Sequence, residues 1–111
     1  MNVTMNPVGK VAVVEISGRI DASNSKDFKE KFQSYLETYT HFVFDMTELE
    51  FLDSTGLGAV ISSLKSASEV GGDIAIANLQ PKPKMLFEIT RAHKIFAIYD
   101  DVESATKSFQ G

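Results

Sequence analysis

Asp53-Ser54-Thr55-Gly56-Leu57-Gly58 joins two segments of different periodicity, and its reading decides the fold. Upstream, Phe42-Val43-Phe44-Asp45-Met46 is short, aromatic and β-branched, which suits a buried strand. Downstream, Leu57, Val60, Ile61, Leu64 and Ala67 recur at helical spacing. The two hydroxyls therefore lie in or just after a strand-to-helix loop, at a helix N-terminus. Each glycine in that first turn costs roughly 1 kcal/mol relative to alanine in a helix interior. Such a cost implies close approach of something to the backbone: a neighbouring element, an anion or a partner protein. Free first-turn amides and the helix dipole also suit phosphate there, as a ligand or as a modification of Ser54 or Thr55.

Catalytic motifs do not fit this stretch. A nucleophile elbow needs Gly-x-Ser-x-Gly, and Leu52 stands where its first glycine belongs. A dinucleotide fingerprint fails at Ile61, and no Gly-Lys-Ser/Thr sequence for a P-loop occurs anywhere. A structural role remains open beside the functional one, because Asp53 or Ser54 would serve as an ordinary N-cap.

Working outward, Asn2 to Met5 and Lys10 to Ser17 read as strands of a hairpin turned by Asn6-Pro7-Val8-Gly9. After a loop over Gly18 to Asn24, Phe28, Phe32, Tyr35, Leu36 and Tyr39 mark one face of a helix from about Ser25 to Tyr39. A strand over His41 to Met46, a helix over Ser54 to Val70 and a Gly71-Gly72 C-cap follow. The remainder reads as a strand at Asp73 to Ala77, a short helix from Pro81 to about Thr90, a strand at Ile95 to Tyr99 and a last helix at Asp101 to Phe109. Alternating strands and helices imply right-handed crossovers, so the sheet is expected to be mixed, with parallel pairing after the hairpin. Phe28, Phe32, Phe42, Phe44, Phe87 and Phe109 lie on periodic apolar faces and are expected in the core.

Composition narrows the function classes. With 111 residues and 43% hydrophobic content, residues 1–111 are expected to form a single domain around one core. The net charge of −4 and the lack of a basic patch argue against direct nucleic-acid binding, which makes proteins the expected partners. The absence of cysteine removes disulfides, thiol nucleophiles and thiolate metal sites, and His41 and His93 stand without neighbouring ligands. No cofactor is expected. No signal-like N-terminus and no run of the ~18 apolar residues needed to span a bilayer occurs, so a cytoplasmic location without membrane insertion is expected.

The stretch Leu49-Glu50-Phe51-Leu52-Asp53-Ser54-Thr55-Gly56-Leu57-Gly58 resembles the signature of STAS domains, in particular the small bacterial anti-sigma factor antagonists. Gly18-Arg19-Ile20-Asp21, Gly71-Gly72 and Leu86-Phe87-Glu88-Ile89-Thr90 resemble family patterns too, so the likeness runs from about Val3 to Phe109. One departure is Thr90-Arg91-Ala92, where family members often carry Thr/Ser-Gly-Leu. The resemblance implies an α/β fold: a mixed sheet of about four to five strands with about four helices, mainly on one side. It also implies a non-enzymatic switch. The unmodified protein would bind an anti-sigma factor that is also a serine/threonine kinase and so release a sigma factor. Phosphorylation of Ser54, with Thr55 as second candidate, would break that complex, and a PP2C-type phosphatase would restore it. Asp21, Asp53, Ser54, Thr55, Gly56 and Leu57 are the implied partner-binding residues, although Asp21 and Asp53 also suit helix capping. The alternatives are a STAS subunit regulating a membrane transporter or another signalling complex and, last, a nucleotide-binding enzyme.

Overall fold

Three strands carry the core on alternating side chains. In the computed structural model, which describes residues 1–110, these are β2 (Val11–Ile20), β3 (His41–Asp45) and β5 (Asp73–Ala77). Ala12, Val14 and Ile16, with Phe42, Phe44, Ile74 and Ile76, face the main core, whereas Val11, Val13, Val43, Ala75 and Ala77 face the opposite side. Both sets are buried, which explains the nearly continuous apolar runs of these central strands.

The complete sheet has six strands, one more than the sequence reading assigns. Its order is β1-β2-β3-β5-β6, with β1 (Asn2–Val8) antiparallel to β2 and β6 (Ala97–Tyr99) parallel to β5 at the far edge. The additional strand, β4 (Leu49–Leu52), lies within what the sequence reads as the connection before the signature helix, and pairs parallel with the end of β2. That pairing also extends β2 to Ile20, so Gly18 to Ile20 are strand and not loop. The hairpin differs as well. β1 continues through Pro7 to Val8, and only Gly9-Lys10 remain as the turn, with Gly9 at φ 63°. Proline is tolerated because β1 is an edge strand that needs no second partner.

Helix α1 (Ser25–Tyr35) places Phe28 and Phe32 against Phe42 and Phe44. The Phe28–Phe44 and Phe32–Phe44 pairs meet edge to face, with centroids 5.8 and 5.6 Å apart. The helix ends earlier than its apolar stripe suggests. Glu37 N–H and Thr38 N–H bond back to the Ser34 and Tyr35 carbonyls, closing it in tight turns that bring the chain to β3. Helix α2 (Ser54–Glu69) ends in a Schellman cap, with Gly71 at φ 80°, Gly71 N–H on the Ser68 carbonyl and Gly72 N–H on the Ala67 carbonyl. Helix α3 (Pro81–Ile89) adds Phe87 to the same core. Only α4 (Val102–Ser108) covers the opposite face, through Ala105 with Val102 packed alongside, where Ala75 and Ala77 leave room for it. The expected placement of the helices mainly on one side therefore holds.

Two non-glycine residues, Asn78 and Arg91, adopt left-handed backbone, and of these only Arg91 lacks the short polar side chain that eases it. Arg91 has φ 63°, a left-handed conformation that costs an L-residue roughly 1–2 kcal/mol. By the resemblance drawn from the sequence, glycine is the residue expected at this position. Arg91→Gly is therefore expected to stabilise the fold by about 0.5 kcal/mol, since glycine's larger unfolded-state entropy offsets part of the relieved strain. A shifted urea midpoint at unchanged slope is the measurement; no shift would show that the turn's own contacts compensate for the strain.

Candidate functional site

The C-terminal ends of the paired strands β2 and β4 and the start of α2 meet at one end of the molecule, where parallel α/β sheets place their functional groups. Asp53 joins these elements. Its backbone is extended, its Oδ1 accepts from Gly56 N–H at 2.7 Å, and its carbonyl accepts from Leu57 N–H at 2.9 Å. Its own N–H reaches the Ile20 carbonyl at 3.3 Å, and Oδ2 accepts from Ala22 N–H at 3.3 Å. Asp53 is thus the N-cap of α2 and also the tie between that helix and the loop after β2. The capping role and a place in the site are compatible.

The two glycines have different reasons. A Cβ on Gly56 would lie 2.2 Å from the Ile20 carbonyl oxygen and 3.0 Å from Leu52 Cδ1, so the molecule's own backbone excludes any side chain there. A Cβ on Gly58 would meet nothing within 4 Å. Internal packing explains Gly56 and leaves Gly58 unexplained.

Ser54 and Thr55 occupy the first turn of α2, exposed, and neither hydroxyl makes a hydrogen bond among the described residues. Their backbone amides are first-turn donors that an α-helix does not satisfy. Gly58 lies one turn beyond Ser54 on the same exposed face. Leu57, by contrast, is 2% exposed and packs in the core, and Gly56 is buried. Of the six residues expected to meet a partner, only Asp21, Asp53, Ser54 and Thr55 present side chains near the surface. Neither Ser54 nor Thr55 lines the clefts of about 250 to 620 Å³ elsewhere on the surface. No group of residues suited to hold a metal ion occurs among the described residues, and no helix is long and apolar enough to cross a membrane.

Asp21 belongs to the same surface through Ala22, which donates to Asp53. Its Oδ1 accepts from the Ser23 hydroxyl at 2.5 Å and Ser23 N–H at 2.9 Å, while Arg19 Nε approaches Oδ2 at 3.4 Å. Asp21 is not the cap of α1. Asn24 holds that position, yet its side chain turns back, accepting from Asp21 N–H and donating to the Arg19 carbonyl. The loop is therefore folded on its own polar side chains. Arg19 lies over the Phe51 ring, 4.1 Å from guanidinium carbon to centroid. Sequence reasoning assigned neither Arg19 nor Phe51 to the site, because their meeting depends on the β2–β4 pairing.

The Ser23 hydroxyl and amide, and then the Arg19 charge, hold the Asp21 carboxyl below the ordinary carboxylate range. A lowered folded-state pKa contributes stability that is present above the unfolded value of about 3.9 and lost as pH falls through the folded one. NMR titration is expected to find Asp21 ionising below that ordinary value, and Ser23→Ala is expected to raise it. An unchanged pKa in Ser23→Ala would remove the hydroxyl as the cause.

The profile of the STAS domain matches residues 2–105. The anti-sigma F factor antagonist of Paenibacillus polymyxa is 28% identical over 97 residues, covering 86% of this chain and 83% of that protein. The anti-sigma-B factor antagonist of Listeria monocytogenes is 31% identical over 84 residues, covering 75% and 74%. Among solved structures, SpoIIAA, an anti-sigma factor antagonist, superposes in its unphosphorylated form with a TM-score of 0.81 at 17% identity over 99% of this chain and 98% of that one, a likeness of fold. The profile match across nearly the whole chain, together with the β2–β4–α2 geometry, makes this protein a member of the STAS domain family.

Proposed function

We propose that residues 1–111 act as one STAS domain and an anti-sigma factor antagonist, a non-enzymatic protein switch set by phosphorylation of Ser54. The observation that carries the reading is an exposed, unbonded hydroxyl on the first turn of α2, next to a fixed N-cap carboxylate. The names of several relatives support the general role, and SpoIIAA has been solved in a phosphorylated form. In the unmodified state the surface formed by Asp21, Asp53, Ser54 and Thr55 would dock on an anti-sigma factor of the serine/threonine kinase type and release its sigma factor. The same partner would phosphorylate Ser54, and a PP2C-type phosphatase would reverse the step.

A phosphoserine adds about −1.5 to −2 charge. At the N-terminus of α2 the dipole and the free amides of Ser54 and Thr55 favour that charge, so the helix itself survives. The interface does not, because a charge beside Asp53 must be desolvated and then opposed. A loss of about 2.7 kcal/mol is a hundredfold change in affinity.

Two predictions test the reading. Ser54→Ala is expected to hold the anti-sigma kinase constitutively and Ser54→Asp to bind it poorly, measured by calorimetry with the partner recovered from the native bacterium. Equal affinity of both variants and the wild type would refute the switch, and recovery of a transport complex without phosphate would favour transporter regulation. Gly58→Ala separates interface from fold. Free space at that position predicts a more stable isolated protein, by up to about 1 kcal/mol. If a partner backbone approaches this turn, the same variant binds it less tightly; unchanged affinity would show that no partner covers Gly58.

A further inference from the structure

Strand β4 carries an irregularity with a consequence for its side chains. Gly18 pairs with Leu49 but Arg19 pairs with Phe51, so Glu50 is an extra residue without an opposite number on β2. In a regular strand, alternation would send Leu49 and Phe51 to one face and Glu50 and Leu52 to the other. The inserted residue shifts the second half by one, which buries Leu52 with Leu49 and turns Phe51 outward. Leu52 thereby packs under Gly56, while a phenyl ring stands 36% exposed two residues before Asp53.

Arg19, the cross-strand partner of Phe51, lies on that ring. Its Nε approaches Asp21, and its side chain is 59% exposed. In the two stretches that build this end, residues 18–25 and 48–58, Arg19 is the only basic residue, beside Asp21, Glu48, Glu50 and Asp53. A guanidinium fixed by an aromatic face and a carboxylate has little conformational freedom left to lose, and its remaining N–H groups are directed at no acid among the described residues.

We propose that the Arg19–Phe51 stack is a specificity anchor for the partner that engages Ser54, an inference that rests on the function proposed above. The stack would receive a neutral hydrogen-bond acceptor of the partner, such as a backbone carbonyl, on the guanidinium and an apolar side chain against the exposed ring edge. Arginine and phenylalanine are both enriched at protein interfaces relative to the rest of the surface, and this pair is continuous with the site through Asp21, Ala22 and Asp53. The bulge is what makes the anchor, because an unbulged β4 would bury Phe51.

Calorimetry of the purified anti-sigma factor with three variants tests the anchor, circular dichroism and urea midpoints confirming that each is folded. Arg19→Ala and Phe51→Ala are each expected to weaken binding about tenfold or more. Arg19→Lys, which keeps the charge but loses the planar fork, is expected to fall near Arg19→Ala. Wild-type affinity in Arg19→Ala and Arg19→Lys, with Ser54→Asp still binding poorly, would overturn the anchor and leave the switch standing. Wild-type affinity in Ser54→Asp would overturn the switch itself, and the anchor with it.

Discussion

The Asp53 carboxylate is the joint on which the site depends. One of its oxygens caps α2 and the other holds Ala22, so the helix bearing Ser54 and the loop bearing Asp21 share one side chain. A capping bond is worth about 1 kcal/mol, which alone is ordinary. Its effect here is positional, because the same residue also bonds Ile20 through its backbone N–H. Gly56 completes the joint by letting the first turn of α2 come against the Ile20 carbonyl at a distance that no side chain would permit. The consequence is a fixed backbone under Ser54 and Thr55 at the surface, achieved without any bond to their hydroxyls among the described residues.

The strands behind the joint explain why it sits where it does. Residues Val11 to Glu15 of β2 pair with β3, and Gly18 to Ile20 pair with β4, so one ten-residue strand serves both the core and the site. The bulge at Glu50 lets β4 bury Leu49 and Leu52 although two residues separate them. Core packing and surface chemistry are thereby decoupled. Leu52 and Leu57 anchor the two sides of the turn, and Ser54 and Thr55 between them stay exposed.

Where structure is encoded locally, the sequence shows it. The strand at His41, the helix from Ser54, its glycine cap and the capping aspartate all depend on neighbours within a few positions, and their periodicity or chemistry is visible in order along the chain. Strand β4 was not legible for a physical reason: four residues with two consecutive exposed positions show neither alternation nor a helical stripe. The end of α1 misleads for a related reason. Tyr39 still packs on the core after the helix has closed, so its apolar stripe outlasts its hydrogen bonds. Arg19 and Phe51 meet only through a pairing across more than thirty residues, which no local pattern reports.

On the function proposed above, the placement of Ser54 would let a single added charge control an interface. Near a helix N-terminus a negative charge gains about 0.3–1 kcal/mol, while Asp53 alongside opposes it by a comparable surface interaction. Both effects act in water, are screened by salt over about 8 Å, and nearly cancel in the free protein. Against a partner, water is excluded, and the desolvation cost of the same charge rises to several kcal/mol without a matching cation. On the proposed function, the leverage of the modification would therefore be the difference between two solvation states of a single turn. A fold that spent Ser54 on an internal hydrogen bond would lose that difference, because phosphorylation would then compete with the helix cap; here the cap belongs to Asp53, and the Ser54 hydroxyl makes no hydrogen bond among the described residues.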